Sequence, residues 1–244
     1  MAEQEITKHT KNLLKTAISS HSWVHKLREI LLEMLIIVFA VSISIWFHSL
    51  GEHRHEQAQV RSFLLGLKSD LQRDHAQLKE VVRFHHAADQ RYASVAALDQ
   101  NAAPDEKTFE EAWALLNSNN FLVVRQGRYE GFKSAGKLTN IENDTLLEQI
   151  IERYEYMAPK LALSSGGWLS EHRRLTDFSE KATADDDSLA TRYRALTSSR
   201  GKLLLKHMAT NPQFYERAQN LAVEDEAIIA AIDKAYPDQG TSQH

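Results

Sequence analysis

Twelve histidines stand among 244 residues, and their spacing is the first feature with chemical content. His48, Glu52 and His55 recur four and three positions apart, on one face of a helix, and two neutral imidazoles with a carboxylate suit zinc. His85-His86 with Asp89, and His21 and His25 with Glu29, are looser groups of the same kind. The same spacings fit solvated polar faces or a pH-sensing role, so the metal reading stands beside two others. Four basic residues, Arg125, Arg128, Lys133 and Lys137, gather around Gly131 and Gly136, where arginine forks and a helix terminus favour a bound anion. Such charges more often form a solvated basic face.

The chain carries none of the motifs that organise common reactions. Ser164-Ser-Gly-Gly167 and Gly127-x-x-x-Gly131 lack the strand and the lysine of a hydrolase elbow or a phosphate loop. With no cysteine, a thiolate nucleophile, a disulfide scaffold and every cysteine-ligated metal are excluded. No cofactor is implied, and the expectation is a protein that is not an enzyme. The balance of 29 basic against 33 acidic residues gives net −4, which argues against a nucleic-acid binder whose phosphate contacts need a positive excess. Only nine glycines and four prolines interrupt a sequence rich in helix formers, so the predicted fold class is all-α.

These side chains need elements to position them, and the first is an apolar run. Mean hydropathy is −0.43 for the whole chain, yet Ile30 to Phe47 reads ILLEMLIIVFAVSISIWF with a single charge. Eighteen helical residues span about 27 Å, close to a bilayer's hydrocarbon thickness. Trp23 and Trp46 would lie about 35 Å apart, as interfacial rings at opposite faces should. A core helix of a soluble protein is the competing reading, and Glu33 favours it; a cleaved signal peptide is disfavoured by the polar sequence ahead of the run. Five basic and three acidic residues precede the run, while Arg54, Arg61 and Lys68 follow it. That excess points to a cytoplasmic N-terminus and a periplasmic C-terminal domain at the bacterial inner membrane. Residues 1–29 are read as a cytoplasmic segment, in which Ile6, Leu13, Leu14, Ala17 and Ile18 share one helical face that fits a membrane surface.

Within the run, Glu33, Ile37, Ala40, Ser44 and His48 form a less oily stripe on one helical face. Ala40 and Ser44 are a small-xxx-small pair that allows close backbone approach, which predicts homo-oligomerisation through this face. The alternative places Glu33 at the headgroup layer near Lys26 and Arg28, with the serines bonded to their own backbone carbonyls. The stretch Glu33-Met-Leu-Ile-Ile-Val-Phe-Ala40-Val-Ser-Ile-Ser-Ile, followed by His48-Ser49, Glu52 and Arg54, resembles the anchor of a family of uncharacterised single-span bacterial membrane proteins. That anchor has a glycine where Ala40 stands, Asn-Asn for His48-Ser49 and tryptophan for Leu50. A second stretch, Arg128-Tyr-Glu-Gly-Phe-Lys133-Ser134-Ala-Gly136-Lys137-Leu138 with Ile141, Leu146-Leu147 and Tyr154, is similar to the family's (Y/F)-E-x-L-K-S-S-G-x-L block. The resemblance implies a helical extracytoplasmic domain and supplies no activity.

Beyond the span, Leu64, Leu71, Leu78, His85 and Tyr92 alternate in heptad register with Val60, Leu67, Asp74, Val81, Ala88 and Val95. This predicts a long amphipathic helix that packs on itself in another copy or on the chain's own later helices, with the second preferred. After a break at Asn101-Ala-Ala-Pro104, a helix with Thr108 and Glu111 at capping-box spacing buries Phe109, Trp113, Leu115 and Leu116. Phe121-Leu-Val-Val124 reads as an extended connection. Helices follow around Tyr129 to Lys133, stopping near Gly136, and from Asn143-Asp144 onward. Gly166-Gly167 and Asp185-Asp-Asp187 read as loops, and Asn211-Pro212 opens a last helix that buries Phe214, Leu221, Ile228, Ile229 and Ile232. The expected organisation is a segment 1–29, a transmembrane helix 30–50, a stalk 51–102, a helical bundle 103–236 and a tail 237–244. The function expected from this is an oligomeric scaffold or interaction module in the envelope. A transport or channel component with a polar path past Glu33, Ser44 and His48, or an accessory subunit of a membrane complex, is the alternative.

Overall fold

The computed structural model describes residues 20–102 and 106–237. The surface helix expected before Ser20, the side chains of His21, His25 and Thr108, Pro104, and the tail beyond residue 237 lie outside the described residues. Every regular element among the described residues is helical, in accord with an all-α chain.

The chain divides into two compact units, Met1–Ala58 and Gln59–His244. One helix, α1 (Ser20–Ala97), supplies residues to both. In the first unit it carries an 18-residue window of mean hydropathy 2.5, none of it buried against the rest of the chain. A soluble core helix would bury such a window, so the helix is long, apolar and unaccompanied enough to cross a membrane.

In the second unit, all eleven heptad positions from Val60 to Val95 are buried, Asp74 and His85 included. The chain's own later helices cover them, and the stretch expected as a stalk is, from Gln59 onward, one wall of the bundle. These later helices are α2 (Glu106–Ala114), α3 (Gly127–Ser134), α4 (Asp144–Glu152), α5 (Ala158–Ala182), α6 (Leu189–Thr197), α7 (Ser199–His207) and α8 (Pro212–Ala235). A wide π-turn, Arg153–Met157, joins α4 to α5. Between α2 and α3, residues 118–126 carry no regular structure and join no sheet, in keeping with the connection expected at Phe121 to Val124.

Local chemistry sets the helix ends. Side chains of Asn143, Ser188, Ser198 and Asn211 accept from backbone N–H groups of Leu146, Thr191, Gly201 and Gln213 at the starts of α4, α6, α7 and α8. Pro212 then occupies the first turn of α8, where its missing N–H costs nothing. Gly136 closes α3 at φ +69°, a left-handed conformation that glycine adopts without strain, and Lys137 N–H returns to the Phe132 carbonyl at 3.1 Å. Two expectations fail: α2 begins at Glu106, ahead of Thr108 and Glu111, whose capping-box spacing therefore does not mark its start, and Gly166 and Gly167 lie inside α5. Leu161, Ser165, Trp168, His172, Leu175 and Ser179 continue a buried stripe through the pair, and that burial offsets the roughly 1 kcal/mol that each interior glycine costs. Trp113, Leu115 and Ile229 also differ from expectation, being only half-buried.

The core is layered along α1. One apolar layer joins Leu64, Leu67 and Leu71 to Ile150, Ile228 and Ile232. A second joins Leu78 and Val81 to Leu161, Phe214 and Leu221. The third collects Ala88, Tyr92 and Val95 with Phe109, Trp168, Leu196 and Leu204. Polar residues occupy the intervals of α1 between these layers, Asp74 in one and His85 in the other.

Candidate functional site

Four elements converge on the Asp74 interval. Heptad register turns Asp74 of α1 inward, the α8 stripe does the same for Asp225, and the π-turn places both Arg153 and its neighbour Tyr154 inside. Arg153, Asp74 and Asp225 are each 0% exposed. Arg153 donates from Nη2 to Asp74 Oδ2 and from Nε to Asp225 Oδ1, both at 2.8 Å. Arg125, from the segment between α2 and α3, donates to Asp74 Oδ1 from Nη1 at 2.7 Å and to Oδ2 from its backbone N–H at 3.1 Å. The result is a balanced cluster of two carboxylates and two guanidinia.

Burial, the largest single influence, opposes the charge on Arg153, but the Asp225 carboxylate, Tyr154 and the hydrogen bonds to Asp225 and Asp74 together outweigh it and raise the pKa of the guanidinium. The pKa of Asp225 rises as well, which for a carboxyl group disfavours the charge. Burial raises its carboxyl pKa, Arg153 pulls against this, and the like charge of Asp74 adds to the rise. The Arg153 guanidinium also lies 4.4 Å from the centroid of the Tyr154 ring, which stacks on Tyr129 at 4.4 Å and 4°. Tyr129 OH donates to Glu155 Oε1 at 2.7 Å, and Lys133 Nζ reaches the same oxygen at 2.5 Å.

These contacts decide the anion reading of Arg125, Arg128, Lys133 and Lys137. Arg125 is bound to Asp74, Arg128 to Asp70 at 3.0 Å and Lys133 to Glu155, so three of the four cationic groups face carboxylates of this chain and do not converge on a common point. Lys137 borders a shallow hollow with Gly127, Arg128 and Gly131. Arg128 reaches Asp70 by lying across Gly66, where a methyl group would meet its guanidinium. With Phe132 stacked on Phe63 at 4.0 Å, the block Arg128–Lys137 fastens α3 to α1 and to the π-turn. The sequence hid this because the partners lie 22 to 58 positions away. Asp225, missed in the reading of α8, had one signal: it continues the apolar stripe from Leu221 to Ile228.

The second polar interval is built on His85, 1% exposed. Thr210 donates from both N and Oγ1 to Asp89 Oδ1, at 2.9 and 2.8 Å. The same hydroxyl lies 3.2 Å from His85 Nδ1 and so links the imidazole to Asp89. Burial among Phe84, Trp168 and Phe214 lowers the imidazole pKa to about 4, against the opposing pull of Asp89 and of a hydrogen bond with the Asn120 backbone. His86 points elsewhere, stacked on Tyr215 at 4.2 Å, and Tyr215 OH donates to Asp89 Oδ2 at 2.8 Å. His85, His86 and Asp89 therefore do not share a metal-binding point.

In the first unit the stripe Glu33, Ile37, Ala40, Ser44 and His48 is exposed on α1. Ser44 donates to the Ala40 carbonyl and Ser49 to that of Trp46, each at 3.0 Å. His48 Nε2 lies 3.2 Å from Glu52 Oε1, but among the described residues no three His, Asp or Glu side chains are grouped closely enough to hold a metal ion. His48, Glu52 and His55 thus supply a surface pair and not an assembled triad.

Two further concave surfaces of the second unit lie against α8. A groove of about 670 Å³ runs between His75–His86 of α1 and Tyr215–Glu226 of α8. A smaller hollow of about 390 Å³ lies between Leu163–Glu171 of α5 and the start of α8. Comparison with protein-family models, with curated proteins and with solved structures finds no significant match to this chain. The class defined by the fold is a helical bundle with, among the described residues, one apolar helix fit to cross a membrane.

Proposed function

We propose that this protein is a single-pass, non-enzymatic component of the bacterial envelope that acts as an oligomeric scaffold or interaction module. The observation that carries the reading is the apolar window of α1, wholly uncovered by its own chain, which water would not tolerate and lipid would. In this reading the span anchors the protein in the inner membrane with its N-terminus in the cytoplasm and the bundle in the periplasm. The likeness of the anchor and of the Arg128–Lys137 block to single-span bacterial membrane proteins supports it. The ion cluster fits a supporting role, since its charges pair across the core and hold four segments together, with Arg153 Nη1 and Asp225 Oδ2 left without a hydrogen-bond partner.

Self-association is assigned to the Glu33, Ile37, Ala40, Ser44 and His48 face, where small residues allow a second helix to approach. Because the chain lacks cysteine, single cysteines report this directly. Ala40→Cys is expected to crosslink strongly in membranes and Val38→Cys weakly; equal yields remove the oligomer. The anchor itself is tested by alkaline extraction of membranes, where the full chain stays in the pellet. Recovery of folded protein in the detergent-free supernatant would overturn the reading.

A further inference from the structure

The ion pairs of the Asp74 interval leave some of its polar atoms unused. Among the described residues, five buried side-chain nitrogen or oxygen atoms have no hydrogen-bond partner in the chain. Two of them, Tyr92 Oη and Trp168 Nε1, belong to the third apolar layer. The other three are Arg153 Nη1, Asp225 Oδ2 and His75 Nδ1. Asp74 and His75 are consecutive on α1, as Asp225 and Glu226 are on α8. Arg153 joins the two aspartates inside, and His75 Nε2 meets Glu226 Oε1 at 3.3 Å on the outside. The imidazole therefore stands beside the cluster, near enough for its charge to act on the Asp225 carboxyl. Its side chain is 14% exposed against 67% for Glu226, so one ring nitrogen faces the rim and the other is turned in.

Buried polar atoms without partners are costly, and one shared occupant removes the cost for all three. The inventory of donors and acceptors selects that occupant. Arg153 Nη1 can only donate, and the ionised Asp225 Oδ2 can only accept. With Nε2–H of His75 donating to the Glu226 carboxylate, Nδ1 is an acceptor as well. The occupant must accept one hydrogen bond and donate two. A metal or ammonium cation has no lone pair for the guanidinium, and a halide has no proton for the carboxylate. The charges of Asp74, Asp225, Arg125 and Arg153 cancel, so the interval favours an ion of neither sign. Water satisfies the pattern with about three hydrogen bonds, the usual number for an internal water. Protonation of Asp225 would reverse one of these bonds and leave the water in place.

We propose that Arg153 Nη1, Asp225 Oδ2 and His75 Nδ1 hold one internal water, and that the His75–Glu226 pair is the cap that keeps it from exchanging with solvent. His75 is then a positioning residue, and the water couples the rim pair to the ion cluster. The site lies within the bundle and does not depend on the span or on self-association.

Oxygen-17 relaxation dispersion of the solvent, which counts internal waters through their long residence, tests this on the full chain in phosphatidylcholine nanodiscs. His75→Phe keeps a ring at the cap without either nitrogen and should lose the dispersion amplitude of one water. Arg153→Met with Asp225→Leu removes the other two partners and should lose the same amplitude; where that pair of changes impairs folding, His75→Phe decides alone. Glu226→Leu, at the exposed half of the cap, should shorten the residence of that water severalfold. Amplitude unchanged by His75→Phe would overturn the water site, and residence unchanged by Glu226→Leu would overturn the cap. Sodium or chloride relaxation that responded to the same substitutions would place an ion there and overturn the proposal as well.

Discussion

Arg153 shows how much one residue's role depends on its partners. Replacing it with methionine leaves Asp74 and Asp225 buried with one guanidinium fewer, and removing one member of such a group costs about 3–5 kcal/mol. The denaturation midpoint of Arg153→Met should fall accordingly. The double variant Arg153→Met with Asp225→Leu should be more stable than the single one, because Asp74 keeps Arg125 and no unpaired carboxylate remains on α8. His85 gives a pH dependence with a definite sign. Its folded pKa of about 4 lies below the ordinary 6.5, so the folded state binds fewer protons between those values. Its stabilising contribution is full above pH 6.5 and is lost as pH falls towards 4, by on the order of 3 kcal/mol for a shift of this size. Asp225, whose pKa is raised, contributes with the opposite sign and favours the folded state on the acid side. Unfolding curves at pH 7.5 and 5 should therefore show a smaller difference for His85→Leu than for the unaltered chain; an undiminished difference would assign the effect elsewhere.

Among the elements, the glycines of α5 and α7 separate two physical roles. At Gly201 an added methyl would run into the backbone carbonyl oxygens of Ala195 and Leu196, where α6 turns into α7, so Gly201→Ala should destabilise by about 1–3 kcal/mol. Gly166 and Gly167 have open space around the same position, and alanine there should stabilise α5 by about 0.5–1 kcal/mol each. Thermal unfolding of the three variants should thus move in opposite directions. Some helix boundaries were legible because their signals are local: Asn143 and Asn211 cap, Pro212 starts and Gly136 stops, whereas α2 starts ahead of its capping-box pair and the Ser198 junction of α6 and α7 went unread. The continuity of α5 was not legible. A glycine pair signals a break only when no tertiary contact holds the helix on both sides, and here Leu161, Ser165 and Trp168 are held.

For the whole molecule, the three apolar layers and two polar intervals along α1 give the bundle a register that uniform leucines would leave open. Hydrogen exchange should show the amides around Leu71 to Val81 protected together, and Arg153→Met should weaken that protection most near Asp74. What the sequence determined by itself is whatever depends on neighbours within a few turns: the all-α class, the apolar run from Ile30 to Phe47, the heptad face from Val60 to Val95 and the caps at Asn143 and Asn211. Tertiary structure alone decided which charges meet. Arg125, Arg128 and Lys133 read as a basic cluster because sequence shows charge without its distant complement, and folding brought each to a carboxylate. Likewise Asp74 and His85 read as interruptions of a hydrophobic seam until Arg153 and Thr210, 79 and 125 positions further on, supplied the hydrogen bonds that make their burial tolerable.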